Sequence, residues 1–66
     1  MEEIDIWRTA RLLMTQHGNR AWLNAAERAE VLFDQKDYDG SSVWTRVCRA
    51  IEELERKKPR EGEAVN

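Results

Sequence analysis

The chain has little of what most chemical activities require. Its 66 residues include one cysteine, one histidine, one proline and three glycines. A lone cysteine cannot close an intramolecular disulfide, so the expected setting is reducing and cytoplasmic. No apolar run is long enough to cross a bilayer, and the acidic N-terminus has neither the basic start nor the apolar stretch of a signal peptide. No membrane attachment is expected. Glycine-rich phosphate loops are absent, as is any set of groups able to serve as nucleophile, base and orienter.

Positive charge is not in surplus either. Eleven Lys and Arg stand against thirteen Asp and Glu, a net charge of −2. A nucleic-acid binder ordinarily carries an excess of basic residues on the domain or on one face. Here bases alternate with acids, and the run Lys57-Lys58-Pro59-Arg60 reads as a cationic helix end leading into a solvated tail. Size sets a further bound. A single domain this small buries only about 60% of the surface of its unfolded chain, so its stability is a few kcal/mol unless it oligomerises. Little volume is left for an enclosed substrate cavity of ~300 Å³ or more. Neither an enzyme nor a small-molecule substrate, cofactor or metal is expected.

What the sequence does have is amphipathic helix. The segment Asn19 to Lys36 organises the rest. At about 100° per residue, Ala21, Leu32, Ala25, Ala29, Trp22, Phe33 and Ala26 fall in one arc of roughly 140°, wider than the ~100° stripe of a helix resting on one neighbour. Ala21, Ala25 and Ala29 recur every fourth residue, which lets two other backbones come close. On the N-terminal side, Asp5 is the expected cap of a helix running to about His17, with Ile6, Ala10, Leu13, Met14 and His17 on one stripe and Trp7 at its edge. Gly18 stops it, and Asn19 is the expected cap of the central helix. A joint this short doubles the chain back on itself.

On the C-terminal side, Asp39 is the expected N-cap of a third helix, with Tyr38 and Val43 at the spacing of a hydrophobic staple. Val43, Trp44, Val47, Ala50, Ile51 and Leu54 form its stripe. Glu52–Arg56 and Glu53–Lys57 are spaced for ion pairs on its outer face. Pro59 ends it. The expected architecture is therefore all-α, a small antiparallel three-helix bundle over residues 1–58 with a disordered C-terminal tail over 59–66. Its expected core is Ile6, Ala10, Leu13, His17, Trp22, Ala25, Ala29, Leu32, Val43, Val47, Ile51 and Leu54.

Three features invite a chemical reading and each has a plainer one. Gln35-Lys36-Asp37-Tyr38-Asp39-Gly40 resembles the start of a calcium-binding EF-hand loop. However, Gln35 replaces the first carboxylate, Ser42 stands where an apolar residue belongs, and Arg46 stands where a bidentate Glu is needed, so helix capping is the expected role. His17 at a helix C-terminus suits the negative end of the dipole. It lies thirty-one positions from Cys48, which is no metal-ligand spacing. Cys48, on the edge of the third stripe, reads as a small buried hydrophobe.

Leu12, Leu23 and Val31 are different, because they project away from the apolar stripes of their helices. Single exposed apolar residues are normal. Three on two adjacent helices of a small domain mark an expected contact surface for a protein partner or a second copy.

A family resemblance runs through the same residues. The pattern Ile6-Trp7, Ala10, Leu13, His17-Gly18, Ala21, Ala25-Ala26, Arg28-Ala29, Asp37, Gly40, Val43-Trp44, Arg46, Ala50-Ile51-Glu52-Glu53-Leu54 resembles a family of short bacterial helical proteins, a domain of unknown function. It spans about residues 4–55. The resemblance implies a bacterial, cytoplasmic, all-helical protein and assigns no residue a role. A weaker similarity, through the Lys36-Asp37-Tyr38 turn, is to a single tetratricopeptide hairpin, which lacks here the stacked repeats that would share its core.

Two functional expectations follow. The first is a small cytoplasmic protein-interaction module without catalytic activity, using Leu12, Leu23 and Val31. The alternative is a nucleic-acid-binding regulator using Arg46, Arg49, Arg56, Lys57 and Lys58 of the third helix, against which Glu52, Glu53 and Glu55 on the same helix would repel phosphates.

Overall fold

The computed structural model describes residues 2–57. The expected tail over 59–66 lies outside them. Among the described residues every regular element is helical and there is no strand, so the fold is all-α. Helix α1 spans Glu3–His17, a 3₁₀ turn spans Gly18–Arg20, α2 spans Ala21–Asp34 and α3 spans Tyr38–Lys57.

The helix boundaries depart from the sequence expectations in three places, each for a local reason. Asp5 does not cap α1. The helix begins earlier, and the Glu2 carbonyl accepts the N–H groups of Asp5 and Ile6 at 3.0 and 3.2 Å, leaving Glu3 and Asp5 in the first turn where their charge suits the dipole. Asn19 does not cap α2 either. Gly18 takes φ 57, ψ −129, a conformation open mainly to glycine, and donates its N–H to the Met14 carbonyl; the next residues tighten into the 3₁₀ turn before α2 begins at Ala21.

The third correction is at α3. Its cap is Asp37, not Asp39: Oδ1 of Asp37 accepts the Gly40 N–H at 3.0 Å, and its carbonyl accepts the Ser41 N–H at 2.9 Å. Asp39 lies in the first turn. The Tyr38–Val43 staple falls with that reassignment, and Tyr38 instead meets Phe33 edge-on, ring centroids 5.1 Å apart at 67°. Lys36 closes α2 in the left-handed conformation, φ 65. Around it the Asp37 N–H bonds the Leu32 carbonyl and the Lys36 N–H bonds the Phe33 carbonyl, both at 2.9 Å, the paired bonds of a Schellman motif.

The alanine ridge does what its spacing implies. Ala21 and Ala25 are fully buried and Ala29 nearly so, against Ile6, Ala10 and Leu13 of α1 and Val47, Cys48, Ala50 and Ile51 of α3. Two bonds fix the pairing of α2 with α3. The Ser41 hydroxyl donates to the Ala29 carbonyl at 2.8 Å, and the Cys48 thiol donates to the Trp22 carbonyl at 3.8 Å. Later residues of α3 meet earlier residues of α2, so these two helices run antiparallel.

Close approach over small residues also explains what the core leaves out. Five expected core members are not buried. Trp22 and His17 are exposed, and Leu32, Val43 and Leu54 are half-buried. With alanine at the contact the helices come close, and the seam that takes Ile6, Leu13, Val47 and Ile51 leaves Leu32, Val43, Leu54 and the larger Trp22 at its flanks. Ala21, Cys48 and Ala50 occupy the seam instead. His17 has a further reason, since α1 ends there and the chain turns away.

Candidate interaction surface

The expected contact residues are all exposed: Leu12 55%, Leu23 45% and Val31 53%. They do not share one surface. The flank of α1 carrying Trp7 and Met14 lies against α3, because Trp7 lines a groove with Arg46, Arg49 and Ala50, and Met14 lines another with Leu54. At about 100° per residue, Leu12 is on the opposite flank, which turns to the α2 side. On α2, Arg28 marks the flank toward α3, its guanidinium carbon 4.8 Å from the Trp44 ring centre. Val31 shares that flank, lining an open trough of about 540 Å³ with Asn24, Arg28 and Leu32. Leu23 sits on the outer crest of α2.

Trp22, Ala26 and Phe33 lie on the other flank of α2, the one toward α1. Leu12 therefore faces outward on the same side of the molecule as these three. Height agrees: Leu12 is five residues before His17, the last residue of α1, and Ala26 five after Ala21, the first of α2. Trp22 is 41% and Phe33 59% exposed, and Tyr38, at 56%, extends the patch from Phe33. The exposed apolar residues on this side are thus Leu12 of α1, Trp22 and Phe33 of α2, and Tyr38 beside Phe33. Sequence reading placed Trp22 and Phe33 on the interior arc. The signal that could have redirected them was the alanine ridge itself, which leaves no room for them on the seam.

The remaining candidates resolve into structure. Asp37 spends a carboxylate oxygen on the α3 cap, which accounts for the EF-hand-like run. Among the described residues no three His, Cys, Asp or Glu side chains gather as a metal site would require. Cys48 is buried, and burial first, then the Glu52 carboxylate one turn on, push its thiol pKa up, away from the reactive thiolate. Of the basic residues on α3, Arg46 and Arg49 share their groove with Glu3 and Glu53, and Arg56 pairs with Glu53 at 3.2 Å. Asn24 Oδ1 is buried without a hydrogen-bond partner among the described residues, where α2 borders the Val31 trough.

No family model, curated protein or solved structure matches this chain. No described helix is long and apolar enough to cross a membrane.

Proposed function

We propose that this chain is an antiparallel three-helix bundle acting as a small, non-catalytic protein-interaction module. The observation that carries the proposal is the α1/α2 face, where Leu12, Trp22, Phe33 and Tyr38 stay largely exposed on a protein with little core of its own. Contiguous exposed apolar groups of this kind mark binding surfaces, and aromatic residues are the usual anchors. Each side chain fully covered on binding contributes roughly 1.5–3 kcal/mol, from which ~4–15 kcal/mol of association cost is subtracted. Four such groups contribute ~6–12 kcal/mol together, which exceeds the association cost where that cost lies toward the lower end of its range.

The contact set moves accordingly from Leu12, Leu23 and Val31 to Leu12 with Trp22 and Phe33, with Leu23 at the rim. A lone buried thiol fits a reducing cytoplasm, and the resemblance to short bacterial proteins fits the same setting. The nucleic-acid reading is weaker, since Arg46, Arg49 and Arg56 each stand beside a glutamate.

The test is sedimentation of the purified chain over a wide concentration range, with capture of binding proteins from a cytoplasmic extract. Self-association or a captured protein is expected, abolished by Leu12→Glu with helicity unchanged. A chain that stays monomeric and captures nothing would refute the proposal.

A further inference from the structure

We draw no further inference here: the strongest candidate, the exposed apolar patch of Leu12, Trp22, Phe33 and Tyr38 on the α1/α2 side, carries nothing beyond the proposal above, because nothing in the structure shows what covers it.

Discussion

Ile51 offers the sharpest test of where the core lies. With Val47 it is one of the two largest fully buried side chains, at 0% exposure, on the seam between α3 and the alanine ridge. Ile51→Ala removes three buried carbons. At ~0.8 kcal/mol each the transfer loss is about 2.4 kcal/mol, and the cavity left behind raises it. Alanine's better helix propensity returns a few tenths of a kcal/mol. The expected net loss is about 2–4 kcal/mol, comparable to the whole stability of a domain this small. Urea unfolding followed by the helical circular dichroism signal should show Ile51→Ala largely unfolded without denaturant, and Ile51→Val shifted by about 1 kcal/mol, or roughly 4–8 °C in Tm. Leu12→Ala, on the open face, should move the curve by less than ~0.5 kcal/mol at concentrations where the chain is monomeric. An Ile51→Ala variant losing less than ~1 kcal/mol would refute the placement of the core.

Three further outcomes are expected. Asp37→Ala should cost about 1 kcal/mol by removing the α3 cap while Asp39→Ala costs only a few tenths, and equal losses in urea titrations would return the cap to Asp39. Lys36→Gly should raise stability by about 0.5–1 kcal/mol, because it relieves a side chain held at φ 65; a drop would mean that the lysine stem packs usefully there. Because burial raises the Cys48 thiol pKa, the unfolded chain ionises first as pH rises, so Cys48 contributes stability that is fully present below the ordinary thiol range and is lost above about pH 8.5. Wild type should therefore lose stability faster than Cys48→Ala in alkaline buffer, and parallel pH profiles would contradict the assignment.

Helical class, approximate helix spans and the alanine seam were legible from spacing alone, because a period near 3.6 and small residues every fourth position constrain packing whatever the surroundings. Gly18 was legible too, as a helix stop that only glycine adopts easily. Cap identities were not. Asp37 and Asp39 are chemically equivalent candidates two residues apart, and the choice depended on Lys36 adopting a left-handed conformation that a lysine does not advertise.

The proposed contact surface was half legible. Leu12 could be placed off its stripe by counting, but Trp22 and Phe33 lie at the edge of the interior arc, where an angle cannot tell buried from exposed. What decides is the distance between helix axes, set jointly by Ala21, Ala25 and Ala29 and by the residues they meet on α1 and α3. The sequence by itself determined that these helices would pack closely. Only the tertiary structure decided that such closeness would expel the aromatics, because excluded volume on a seam belongs to all the helices that form it and to none of them singly.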